Sequence, residues 1–101
     1  WTLGAPSLAG ESFGIALTDI STNPPAITNF AGLDVYEPGG TTASPSVTCQ
    51  TLRCSVQLRN VAKSGLYRIK VEPFQPAATL STTLTVTKAV TGALQRANRL
   101  L

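Results

Sequence analysis

This sequence contains no histidine and no methionine. Without histidine the chain lacks the usual general base, the usual proton shuttle and the commonest metal ligand. A chain without Met at position 1 is expected to be a segment of a longer or processed protein, in which a signal peptide would not show. Charge is scarce too, at 13% of residues. That excludes a coiled coil or a helical bundle rich in Glu and Lys. No apolar run approaches the roughly 18 residues that cross a bilayer as a helix. Aromatics supply only 6% of the chain, so any stacking surface must be built from Trp1, Phe13, Phe30, Tyr36, Tyr67 and Phe74.

What is present points to strands. At 101 residues the chain has the length of one domain. Its 43% hydrophobic content is enough to order a core, which excludes an intrinsically disordered tail. Phe13, Ile15 and Leu17 recur at every second position, as do Leu33 and Val35, then Val56 and Leu58, then Tyr67, Ile69 and Val71, then Leu84 and Val86. Alternate side chains of a strand point to opposite faces, so each segment buries one face and wets the other. Breakers separate the segments: Asn23-Pro24-Pro25, Pro38-Gly39-Gly40, Ser44-Pro45, Ser64-Gly65 and Pro73-Phe74-Gln75-Pro76. Short strands with turn chemistry between them predict an all-β antiparallel sandwich, jelly-roll-like, of seven to eight strands. One domain is expected over 1–94, with 95–101 a tail or linker and a helix conceivable over 93–101.

Two cysteines, Cys49 and Cys54, are five positions apart. One such pair with no histidine does not complete a tetrahedral zinc site, and it lacks the C-x-x-C redox spacing. A disulfide across a hairpin with the loop 50–53 is the expectation, two free buried thiols the alternative. A disulfide implies an oxidising compartment, hence a secreted or cell-surface protein.

Charge is unevenly spread. Residues 1–52 hold Glu11, Asp19, Asp34 and Glu37 with no base, whereas 53–101 hold all 8 bases and only Glu72. The bases are scattered singly along strands and do not form a phosphate-binding stripe, so nucleic acid is not the expected partner. Catalysis is not expected either. Lys63-Ser64 falls in an exposed turn, and Asp34 and Glu37 bracket a strand end, three residues apart and facing opposite sides.

The order of motifs resembles the bacterial prepeptidase C-terminal (PPC-like) β-sandwich modules. The resemblance is carried by Leu33-Asp34-Val35-Tyr36-Glu37-Pro38-Gly39-Gly40, by Ser64-Gly65-Leu66-Tyr67-Arg68-Ile69-Lys70-Val71, and by the Thr-rich last strand running to Val90-Thr91-Gly92-Ala93-Leu94. It spans about residues 11–94. It implies a non-catalytic module appended to another domain, of a kind that in some relatives binds polymeric substrate or calcium. Glu11 and Asp19 lack the acidic neighbours of a calcium site, so no metal ligand and no cofactor is expected.

If the module binds, the expected ligand is a polysaccharide or another extracellular polymer. Sugar-binding surfaces stack exposed aromatics on pyranose faces, with polar groups setting orientation. Phe13 and Tyr67 fall on buried strand faces. Tyr36 is out of phase with Leu33 and Val35, Phe74 lies in a loop and Trp1 is terminal. Tyr36, Phe74 and Trp1 are therefore the candidate contacts, with Arg68 and Lys70 as polar partners. The Thr79, Ser81, Thr83, Thr85 and Thr87 row reads as an ordinary solvent-facing strand side. The rival to a binding module is a spacer that packs on neighbouring domains of its parent through an apolar patch. The isolated domain is expected to be a monomer.

Overall fold

The computed structural model describes residues 1–88. The expectations placed on 89–101, namely the end of the last strand, the helix and the tail, lie outside the described residues. The described residues form seven strands and no helix: β1 (Thr2–Ser7), β2 (Phe13–Asn23), β3 (Ala31–Tyr36), β4 (Ser46–Cys49), β5 (Cys54–Leu58), β6 (Gly65–Pro73) and β7 (Thr79–Lys88). They form two antiparallel sheets, one in the order β1-β6-β3-β4 and one in the order β5-β2-β7. Only the β3–β4 connection stays within a sheet. Every other one crosses to the opposite sheet, which wraps the chain as a jelly roll does.

The alternating positions meet between the sheets. Ala31, Leu33, Val35, Tyr67, Ile69 and Val71 face inward from one sheet, and Phe13, Ile15, Leu17, Val56 and Leu58 from the other. The rings of Phe13 and Tyr67 pack edge to face, 5.5 Å between centroids at 72°. The phenol of Tyr67 keeps its polar end satisfied by donating to the Lys63 carbonyl at 2.7 Å. β2 runs further than its simple alternation, because it changes phase. The pairing with β7 slips by one residue between Thr18 and Ser21, at Asp19, whose φ is 54°. This bulge lets Ile20, one position out of step with Leu17, still point into the core.

The Pro38-Gly39 step forms a type II turn. The Gly40 N–H donates to the Glu37 carbonyl at 2.9 Å, Pro38 takes the second position, and Gly39 takes the positive φ (73°) that only glycine adopts cheaply.

The Cys49–Cys54 disulfide is formed, with Cα atoms 5.4 Å apart, but not across a hairpin. β4 pairs only with β3, and β5 pairs with β2 in the other sheet. The connection over 50–53 passes between the sheets, and the disulfide spans them. The pairing was inferable from spacing; the sheet to which each cysteine belongs was not.

The crossings put the connections β1–β2, β3–β4 and β5–β6 at one end of the sandwich and β2–β3, β4–β5 and β6–β7 at the other. Backbone hydrogen bonds tie each group together: Gly10 to Val61 at the first end, Ile20 to Leu52 and Phe74 to Phe30 at the second.

Candidate functional site

Three of the five candidate residues come together on the outer face of the four-stranded sheet. β3 and β6 are paired so that Tyr36 stands opposite Arg68, Asp34 opposite Lys70 and Gly32 opposite Glu72. Inward positions on both strands are fully buried, so the alternation leaves these residues on the outside. β4 adds Ser46 beside Asp34.

The geometry of this face is ordered by its own contacts. The Arg68 guanidinium carbon lies 5.2 Å from the centroid of the Tyr36 ring, a cation–π distance. The same guanidinium donates to the Gly40 carbonyl in the type II turn. Tyr36 faces outward as its phase predicts, yet it is half-buried, with one ring face covered by Arg68. It is an aromatic support for an arginine and not a bare stacking plate. Lys70 Nζ lies 3.2 Å from Glu72 Oε1. The Glu72 carboxylate beside it, with Tyr36 and Asp34 nearby, holds the Lys70 ammonium above the ordinary lysine range. Ser46 Oγ donates to Asp34 Oδ1 at 2.6 Å. The face thus carries two cations, two carboxylates, a hydroxyl and a phenol within two paired strands and their neighbour.

Phe74 and Trp1 are not part of this face. Phe74 follows β6 in the β6–β7 connection, and its N–H donates to the Phe30 carbonyl at 3.2 Å. Trp1 extends β1 by pairing with Val71. Both belong to the end of the sandwich formed by β2–β3, β4–β5 and β6–β7, whereas Tyr36 and Arg68 sit toward the other. The candidate set therefore divides into an ordered polar face and an apolar end.

Two surface clefts of about 360 Å³ flank the sheets. One lies beside Thr18, Arg53 and Ser55. The other lies at the end of the sandwich between Glu37, Gln57, Arg59 and Asn60. Among the described residues no group of three or more Cys, Asp or Glu side chains is placed to hold a metal ion. No buried side-chain polar atom among them lacks a partner. Ser64 Oγ accepts the Ala9 N–H at 2.8 Å, so the Lys63-Ser64 pair serves a loop contact.

Glu11 has a structural position that sequence reasoning missed. Its carboxylate accepts the Leu8 N–H at 2.7 Å, the Ser7 hydroxyl at 3.2 Å and the Lys88 ammonium at 3.2 Å, closing the β1–β2 turn and tethering the end of β7. The Leu8 N–H above all, then Lys88, holds its pKa below the ordinary glutamate value. A Glu four residues after Ser7, which ends β1, was the available signal, but its Lys88 partner is 77 positions away.

No protein-family model, curated protein or solved structure matches this chain.

Proposed function

We propose that this chain is a non-catalytic accessory module of a secreted or cell-surface bacterial protein, and that it holds a neutral extracellular polysaccharide on the outer face of the four-stranded sheet. One observation carries the reading. The paired rows Tyr36–Arg68 and Asp34–Lys70, with Glu72 beside them, set donors and acceptors side by side on an open strand surface. Sugar hydroxyls both donate and accept, so a matched set of both suits a glycan. The four charges cancel, which disfavours a polyanion such as nucleic acid. An exposed sheet face also suits a polymer chain, which a closed small-molecule pocket does not. Arg68 arrives ordered by Tyr36 and Gly40, so little side-chain entropy remains to be lost on binding.

The PPC-like reading rests on the strand and turn motifs around Leu33–Gly40 and Ser64–Val71. The Cys49–Cys54 disulfide supports an oxidising compartment. Affinity electrophoresis in gels cast with soluble neutral and acidic polysaccharides tests the proposal. The wild-type chain should be retarded by a neutral glycan, and a Tyr36→Ala, Arg68→Ala variant should run as in a glycan-free gel. Retardation only by acidic polymers, or retardation unchanged in the variant, would displace the site. No retardation by any polymer would favour the spacer reading.

A further inference from the structure

Among the described residues seven large apolar side chains stand exposed; Leu3, Leu8 and Leu66 lie on β1 or toward the β1–β2 end, and the other four gather at the opposite end. Trp1, Ile27, Leu52 and Phe74, exposed by 53, 97, 53 and 49%, belong to one end of the sandwich. Three different connections supply Ile27, Leu52 and Phe74, and half-buried Phe30 sits between them. One crevice runs between Pro25, Phe30 and Leu52, and another between Pro24, Phe30 and Gln75. The connection 24–30 is Pro-Pro-Ala-Ile-Thr-Asn-Phe, 50–53 is Gln-Thr-Leu-Arg and 74–78 is Phe-Gln-Pro-Ala-Ala. None contains a carboxylate, and Arg53 is their one charge. The nearest acids along the chain, Asp19, Asp34 and Glu72, stand on strands; Asp34 accepts the Ser46 hydroxyl and Glu72 is paired with Lys70. The opposite end is built differently: its connections hold Glu11, Glu37, Arg59 and Lys63.

We propose that the Ile27–Leu52–Phe74 end of the sandwich is a membrane contact that inserts its loop tips into the interfacial layer of a phospholipid bilayer. Ile27, Leu52 and Phe74 come from three separate connections, and Ile27 stands almost wholly clear of the fold, while Leu52 borders a shallow crevice. A protein partner would need a matching pocket for each tip, whereas a bilayer receives apolar projections without shape complementarity. Ile27 at 97% exposure contributes nothing to the core, so its side chain is free to leave water. Asn29, Gln50, Thr51 and Gln75 flank the tips with uncharged polar groups suited to headgroup depth, and Trp1 and Phe74 are residue types that prefer that layer. Arg53, with no carboxylate in these connections to oppose it, complements an anionic lipid surface.

The test uses the full chain with vesicles of phosphatidylcholine, with and without phosphatidylglycerol. Trp1 is the sole tryptophan and lies at the proposed contact, so its emission reports insertion directly. The chain should co-sediment with both vesicles, about fivefold more tightly with the anionic one. Trp1 emission should shift to the blue and be quenched by brominated acyl chains. Ile27→Asp and Leu52→Asp should each weaken partitioning at least about tenfold. Leu8→Asp, at the opposite end and 64% exposed, should change it little. Tyr36→Ala with Arg68→Ala should bind vesicles as the wild type does, which separates this contact from the polymer face. Absence of co-sedimentation, or equal loss in Leu8→Asp, would overturn the proposal. So would a dimer in sedimentation equilibrium that Ile27→Asp disperses while vesicles bind neither form, because a second copy would then cover this end.

Discussion

Reducing the Cys49–Cys54 bond separates two views of what holds the sheets together. The disulfide is the sole covalent cross-link between them, which invites the view that its loss would open the sandwich. The magnitude argues otherwise. The cross-link closes a loop of only 5 residues' separation, so the chain entropy it removes from the unfolded state is small, about 2 kcal/mol. The interface it spans is held by the buried cluster of Phe13, Ile15, Leu17, Leu33, Val35, Tyr67, Ile69 and Val71, none more than 1% exposed. Burying one such side chain is worth roughly 1.5–3 kcal/mol, so the cluster outweighs the bond several times over. The reduced protein should therefore stay folded. For a domain of this size 1 kcal/mol moves Tm by about 4–8 °C, so the fall should be on the order of 10 °C. Thermal melts followed by near-ultraviolet circular dichroism, with and without a phosphine reductant, measure it. Loss of the cooperative transition on reduction would refute the reasoning in one direction. An unchanged Tm, with thiol titration confirming reduction, would refute it in the other.

Two further outcomes follow from single side chains. Ile69→Ala empties a fully buried site between Leu3 of β1 and Val35 of β3, and should cost about 2–5 kcal/mol in urea denaturation with the m-value unchanged. Glu11 titrates below its ordinary value in the folded chain, so the stability it contributes is complete above the unfolded pKa of about 4.3 and is lost as pH falls through the lowered folded value. Glu11→Gln should therefore lower stability near pH 7 and flatten the acid limb of the stability profile; a variant with the wild-type acid limb would remove Glu11 from that role.

Much of the architecture could be read locally. β2, β3, β5, β6 and β7 each announced themselves by alternation, because the pleat sends neighbouring side chains to opposite faces whatever the strand pairs with. β1 and β4 did not. Thr2–Ser7 carries Gly4 and Pro6 and becomes a strand by pairing with β6; Ser46–Cys49 is four residues long and relies on β3. The Asp19 bulge was equally hidden, since the out-of-phase Ile20 reads as the end of a strand until β7 supplies the register that continues past it. For the proposed polymer face, the phase of Tyr36 already placed it outward, and the alternation of β6 placed Arg68 and Lys70 outward.

The class of fold, the turn at Pro38-Gly39 and the sidedness of each recognisable strand were legible in the sequence, because they depend on neighbours in the chain; the Cys49–Cys54 bond was an expectation with free thiols as its alternative. Only the tertiary structure decided which strands share a sheet, that the disulfide spans two sheets, and that Tyr36 lies beneath Arg68. It also decided that Trp1 and Phe74 belong with Ile27 and Leu52 at one end, away from Tyr36. Those outcomes depend on pairings between residues tens of positions apart. Alternation within a strand records which face is apolar but carries no label for the partner strand that will meet it.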